Sequence, residues 1–84
     1  MIIQIYEITS PEEARALSRM GVDHIGVLVG NGSFPREQSV EVTREIFADV
    51  QAPSKTVALS LSADTRAIGA LAEAVRPAVL HLGA

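Results

Sequence analysis

The sequence contains no cysteine and no tryptophan, and its aromatic residues are two phenylalanines and one tyrosine. Without cysteine the chain can form no disulfide, no thiolate metal site and no cysteine nucleophile. A zinc site would have to combine the two histidines, His24 and His81, with carboxylates. We therefore expect neither a bound metal nor another cofactor.

Basic residues are also scarce, and they are scattered singly along a chain whose net charge is -3. A nucleic-acid surface needs a basic stripe and aromatic side chains for stacking, and the sequence offers neither. No apolar run approaches the roughly 18 residues that span a bilayer, and the first residues do not have the pattern of a signal peptide. We expect no nucleic-acid partner, no membrane partner and a cytoplasmic location.

The composition is that of a globular protein, with 48% hydrophobic and 20% charged residues in 84. This length predicts a single domain, residues 1–84, with a small core. Short apolar runs alternate with longer amphipathic stretches, which is typical of successive βα units around a parallel sheet. The predicted strands are residues 2–8, 24–29, 56–61 and 78–83, and three helices connect them.

The first helix has the clearest local signals. Ser10 is a natural N-cap, Pro11 suits the first helical position, and Glu13 completes a capping box by reaching back to the Ser10 amide. Gly21 supplies the left-handed residue that ends the helix. The buried stripe is predicted to comprise Ala14, Leu17 and Met20. Ser39 is predicted to cap the second helix, and Ser62 or Asp64 the third.

One face of the predicted sheet carries polar side chains. Gln4 and Tyr6 alternate with isoleucines in the first strand, and His81 lies between two leucines in the last. A parallel sheet covered on both faces has nearly continuous apolar strands, whereas polar residues near the carboxyl ends of strands suit a barrel interior. Two architectures remain open at this point: a small flavodoxin-like sheet with a reversal in strand order, and half of a (βα)8 barrel.

Four short motifs resemble those of the phosphoribosylanthranilate isomerase family, whose members are (βα)8 barrels. The opening "QIYEITSPEEA" resembles the family's first strand and helix start, and "VDHIGVLV" resembles its second strand, with Gly26 lying 20 residues after Tyr6. In "FPREQS", Arg36 occupies the place of the family's loop arginine. The third and fourth strands correspond to "VALSLS" and "HLGA", which places His81 on the family's glutamine.

This resemblance runs in order along the whole chain and implies a fold and a function. The implied fold is α/β: a parallel β(αβ)3 unit with four strands and three helices, the N-terminal half of a TIM barrel. The implied function is the Amadori aldose-to-ketose isomerisation of tryptophan biosynthesis, on a small phosphorylated, anionic substrate. The family's general acid and phosphate-binding loops lie on later strands, so we expect a partial or divergent member that cannot catalyse alone.

The resemblance also implies candidate site residues. The family's cysteine base and the glycine beside it fall on Tyr6 and Glu7, which become the candidates for proton transfer, although strand alternation predicts that they face opposite ways. Arg36 lies where the family holds the anthranilate carboxylate, for which a guanidinium fork is well suited. His81 and Gln4 are candidate substrate-binding residues because both are predicted to face the barrel interior. A histidine in that position can also exchange a proton near neutral pH.

A non-catalytic alternative also follows from the sequence. A half-barrel would leave one sheet face and two strand edges open, and such surfaces are rarely left uncovered. The chain would then bind a small anionic ligand through Arg36 and His81, and it would self-associate or pair with a complementary half-barrel. His24 begins a strand at the opposite end and is expected to be structural, and "GNGS" is expected to form a lid-like loop.

Overall fold

The computed structural model describes residues 2–32 and 34–83. Ser33, in the predicted lid-like loop, and Ala84, in the last motif, lie outside the described residues. Within the described part, four strands alternate with three helices in this order: β1 (Gln4–Ile5), α1 (Pro11–Arg19), β2 (His24–Leu28), α2 (Val40–Ala48), β3 (Lys55–Ser60), α3 (Thr65–Val75) and β4 (Val79–Leu82). No helix in these residues is long and apolar enough to cross a bilayer.

The four strands form one parallel sheet in the order β1-β2-β3-β4. Because no strand is out of sequence order, the sheet has no winding reversal, and right-handed crossovers place the helices on the same side. The flavodoxin-like alternative is therefore wrong. The half-barrel arrangement of four strands and three helices is confirmed.

The first strand is shorter than predicted. Regular pairing is confined to Gln4–Ile5, whereas the apolar pattern predicted residues 2–8. The strand is interrupted because Glu7 adopts a positive φ of 62°, which extended backbone does not permit. Beyond Glu7 the chain makes one more backbone hydrogen bond to β2, from the Ile8 amide to the Gly26 carbonyl at 3.1 Å.

The start of α1 has a capping box with an additional partner. The Ser10 hydroxyl accepts from the Glu13 amide at 3.2 Å, as predicted. The Glu13 carboxylate accepts mainly from the amide and hydroxyl of Thr9, at 3.1 and 2.9 Å, and the predicted interaction with the Ser10 amide is present as a weaker one. Met20 is wrong as a core residue: it is 76% exposed, because it is the C-cap and lies beyond the last turn. Gly21 has the expected positive φ of 85°.

The apolar core lies between the helices and one face of the sheet. Every second residue of β2, continued by the residue that follows the strand, points towards the helices. Ala58 of β3 and Ile46 of α2 belong to the same buried cluster. These β2 residues are Ile25, Val27 and Val29. The parallel register then places the intervening residues on the opposite face, which we call the inner face. Its members include Gln4, Tyr6, His24, Gly26, Val57, Leu59 and His81.

The two outer strands are covered less well than the two central ones. Ile3 and Ile5 on the β1 side, and Leu80 and Leu82 on β4, are exposed. The register pairs Ile5 with buried Ile25, and Leu80 with buried Ala58, so these side chains lie on the helix-facing side of the sheet. Apolar surface is therefore open at both lateral edges.

Candidate functional site

A chain of hydrogen bonds crosses the inner face. The side-chain amide nitrogen of Gln4, Nε2, lies 2.9 Å from Nδ1 of His24. The Tyr6 hydroxyl donates to Oε1 of Gln4 at 3.2 Å and lies 3.3 Å from Nδ1 of His81. Three predicted site residues, Gln4, Tyr6 and His81, are thus brought together. His24, which the sequence indicated as structural, belongs to the same hydrogen-bonded group through its contact with Gln4.

Gly26 makes the space that this arrangement needs. The Tyr6 ring lies directly over Gly26, where an added Cβ would clash with Cδ1 of the ring and would lie 2.9 Å from Cε1. The ring can therefore lie across β2 towards β4, where it meets His81 edge-on, with centroids 5.9 Å apart and planes at 67°. The sequence shows the spacing of Tyr6 and Gly26, but their packing depends on the parallel register.

Glu7 and Arg36 form a separate pair. The Glu7 carboxylate accepts from Nη1 of Arg36 at 3.4 Å, which links the end of β1 to the loop after β2. Both residues have positive φ, 62° and 67°, and both side chains are exposed. The hydrogen bonds therefore divide the five predicted site residues into an inner-face group and a loop group. An external carboxylate at Arg36 would compete with Glu7.

The loop after β2 is fastened by a residue that sequence reasoning missed. Oε1 of Glu37 accepts from the amides of Gly32 and Phe34, at 3.0 and 3.1 Å. The Gln38 side chain donates to the Arg36 carbonyl at 3.0 Å. These bonds hold the backbone that carries Arg36. The available signal was an acidic residue shortly after a glycine-rich turn, a pattern in which loop amides bind a carboxylate.

The pKa of Glu13 is lowered from its ordinary value, mainly because the Thr9 hydroxyl donates to its carboxylate and then because the Thr9 amide does so. This carboxylate lies at the start of α1. Across residues 2–32 and 34–83, no three histidine or carboxylate side chains are grouped to hold a metal ion.

A cavity of about 510 Å³ lies elsewhere, on the helix side of the sheet. It is bounded by the loop after β2 and by α3, and its lining includes Phe34, Glu37, Val40, Ser60, Ala70 and Leu71. None of the five predicted site residues lines it. The polar chemistry is on the inner face, so we place the candidate site there rather than in this cavity.

Known proteins resemble this chain in sequence over nearly all of its length. No family model matches the chain. The N-(5'-phosphoribosyl)anthranilate isomerase of Parvibaculum lavamentivorans is 32% identical over 80 residues, covering 95% of this chain and 37% of the relative. The enzyme of that name from Nitrobacter hamburgensis is 30% identical over 82 residues, covering 98% of this chain and 36% of the relative.

The structural comparison agrees with the sequence comparison. The crystal structure of TrpF from Jonesia denitrificans superposes with a TM-score of 0.86 at 27% identity, over 98% of this chain and 40% of that protein. The chain is a divergent relative of phosphoribosylanthranilate isomerase. It matches the N-terminal half of the phosphoribosylanthranilate isomerase barrel, and it spans less than two fifths of the length of the curated isomerases.

Proposed function

We propose that the chain supplies the N-terminal half of an isomerase-type barrel and binds a small anionic, phosphorylated substrate at the carboxyl ends of its strands. The observation that carries this is the placement of Gln4, Tyr6 and His81 in one hydrogen-bonded group on the inner face of a fold that matches phosphoribosylanthranilate isomerase. Catalysis of an Amadori aldose-to-ketose isomerisation then needs the complementary half of the barrel.

The reaction sets the chemical requirements. One group must remove a proton from the sugar C2, and another must donate a proton as the furanose ring opens. The inner-face group contains a phenol and two imidazoles that can exchange protons. Arg36, on the loop after β2, would hold the substrate carboxylate once Glu7 gives way. The half-barrel thus supplies binding groups and one side of the proton transfer.

The test is reconstitution of turnover. The chain alone is expected to leave phosphoribosylanthranilate unchanged. The chain combined with the C-terminal part of the Jonesia denitrificans TrpF barrel, the part that it does not match, is expected to consume the substrate. Loss of substrate fluorescence measures turnover, and each half alone is the control. A mixture that is folded and associated but inactive would contradict the proposal.

A second candidate function is that of a non-catalytic, self-associating half-barrel. The observation that favours it is the exposed apolar surface on both outer strands, at Ile5 and Leu82 among others. Two copies related by a twofold axis would cover each other's edges. Light scattering after gel filtration gives the molar mass, and this candidate requires a dimer. A monomer across micromolar concentrations would contradict it.

A further inference from the structure

The hydrogen bonds on the inner face have a defined polarity. Tyr6 has a single hydroxyl proton, and it donates that proton to Oε1 of Gln4. At the 3.3 Å contact with His81, the Tyr6 oxygen must therefore accept, and Nδ1 of His81 must carry a proton. A neutral His81 in this tautomer has its lone pair on Nε2.

The hydrogen bond between Gln4 and His24, at the other end of this group, also has a defined direction. Nε2 of Gln4 is a donor only, so Nδ1 of His24 must accept at 2.9 Å. Neutral His24 then carries its proton on Nε2. The two histidines are held in opposite tautomers, and the orientation of one amide, that of Gln4, determines both.

The surroundings of His81 leave its Nε2 open. Its register partner on β3 is apolar Leu59, and its ring makes a T-shaped contact with the Tyr6 ring. In residues 2–32 and 34–83, the hydrogen bond of the His81 ring is made by Nδ1 and not by Nε2. The strand register places one charged residue, Lys55, opposite His24, at the start of the strands and at the far end of the hydrogen-bonded group from His81. No carboxylate is hydrogen-bonded to either ring in the described residues.

We propose that His81 is the catalytic base of the half-barrel, and that Tyr6, Gln4 and His24 are positioning residues that keep its Nε2 unprotonated. The inference rests on the proposed function and deepens it. It also accounts for the loss of the family's cysteine, because Tyr6 at that position orients a base on β4 rather than acting as one.

The proton transfer balances without a further reactant. The substrate is the open-chain iminium form of an N-aryl aldosylamine. The Nε2 lone pair of His81 takes the proton from C2, and the C2–H electron pair becomes the C1=C2 double bond. The C1=N π pair moves onto nitrogen and neutralises it. The products are an enolamine and a protonated His81, which returns its proton at a later step.

The polarity is tested by NMR on the chain itself. Long-range proton-nitrogen spectra of the ¹⁵N-labelled chain distinguish the two tautomers of each ring. We expect His81 with its proton on Nδ1 and His24 with its proton on Nε2. A His81 ring with its proton on Nε2 would overturn the inference.

Two substitutions of Gln4, whose side-chain hydrogen bonds in the described residues go to His24 and Tyr6 and not to His81, separate the relay from simple packing. Gln4→Leu releases the Tyr6 hydroxyl proton, which can then turn to Nδ1 of His81, so the His81 population should shift towards the Nε2–H form. In Gln4→Glu, one carboxylate oxygen still accepts from the Tyr6 hydroxyl, but the other replaces the amide donor and accepts from His24. This substitution should therefore switch His24 and leave His81 unchanged. An unmoved His81 in Gln4→Leu would contradict the relay.

Turnover tests the base role in the reconstituted barrel. Removal of a general base typically costs about 100-fold or more. We expect at least that loss in kcat for His81→Gln, and a smaller loss in kcat with unchanged KM for Tyr6→Phe, which keeps the ring over Gly26. Full turnover by His81→Gln would overturn the base role and leave the proposed function standing. An unsubstituted mixture without turnover would overturn both, whatever the tautomers.

Discussion

At the residue scale, Arg36 is a binding group that already has an internal partner. The Glu7 carboxylate lies 3.4 Å from Nη1, and the two side chains are 43% and 66% exposed. Exposed ion pairs of this kind contribute only about 0–1 kcal/mol, so the pair tunes the affinity for an external carboxylate rather than abolishing it. Ligand binding at Arg36 is therefore an exchange of one carboxylate for another.

Glu7→Gln should raise the affinity for anthranilate, used as a carboxylate probe. Removing the competing charge is worth at most about 1 kcal/mol, so the Kd should fall by up to about fivefold. Chemical-shift titration of the ¹⁵N-labelled chain gives the Kd. The difference should shrink in high salt, because the pair is exposed and screened. In an Arg36→Gln background the effect of Glu7→Gln should disappear, and an equal effect there would refute the competition.

Gly26 is the second residue that the inner face depends on. In Gly26→Ala the new methyl group enters the space of the Tyr6 ring. Overpacking of this kind typically costs about 1–3 kcal/mol, and we expect a loss of that size in the free energy of unfolding measured in urea.

The matched control removes the ring. In a Tyr6→Ala background the same Gly26→Ala substitution should cost little, since the Cβ then has space. An equal loss in both backgrounds would show that the cost arises from the β2 backbone and not from Tyr6.

Strand alternation and parallel register make part of the site predictable. These two rules place Gln4, Tyr6 and His81 on one face, as the structure does. The Glu7–Arg36 pair was not predictable in the same way, because both residues have positive φ and alternation assumes extended backbone. The role of His24 was missed because its hydrogen bond to Gln4 depends on the register between β1 and β2.

At the scale of the element, α1 begins with an interaction that depends on pH. The Thr9 hydroxyl, followed by its amide, donates to the Glu13 carboxylate and lowers the pKa of that group from its ordinary value of 4.5. A carboxyl group whose pKa is lower in the folded state stabilises the fold when it is ionised. This contribution is present above the unfolded pKa and is lost as the pH falls through the folded pKa.

Glu13→Gln should therefore destabilise the chain at pH 7, and the difference from the unsubstituted chain should shrink as the pH falls below 4.5. Urea unfolding between pH 3 and pH 7 measures this. Glu12→Gln removes an acidic side chain from the same turn, and it controls for the helix dipole. If the two variants lose the same stability at every pH, the effect belongs to the dipole and not to Thr9.

The starts of the helices were the most predictable elements, because capping is decided within a few residues. Ser10 and Ser39 cap α1 and α2 as predicted, and of the two alternatives for α3 it is Asp64 that accepts from the helix amides. The ends of the elements were harder. The length of β1 and the exposure of Met20 depend on where the backbone turns, which the apolar pattern does not report.

At the scale of the whole molecule, the core and the candidate site lie on opposite faces of one sheet. The helices cover the face that carries Ile25 and Val27, while the inner face carries the polar group. Polar residues in the predicted strands indicated a half-barrel because a sheet that helices cover on one face only can carry polar side chains on the other. A partner for the outer strands was not predictable, because exposed apolar residues at an edge do not identify what would pack against them.

The exposed edges lead to a prediction about association. If two copies cover each other's outer strands, Leu82→Lys should place a charge in the interface and shift the molar mass from dimer to monomer. Met20→Lys is the matched control, because Met20 is also an exposed apolar side chain but lies at the end of α1, away from the strand edges. Light scattering after gel filtration measures both. Association that survives Leu82→Lys, or that is lost equally in Met20→Lys, would show that the strand edges are not the interface.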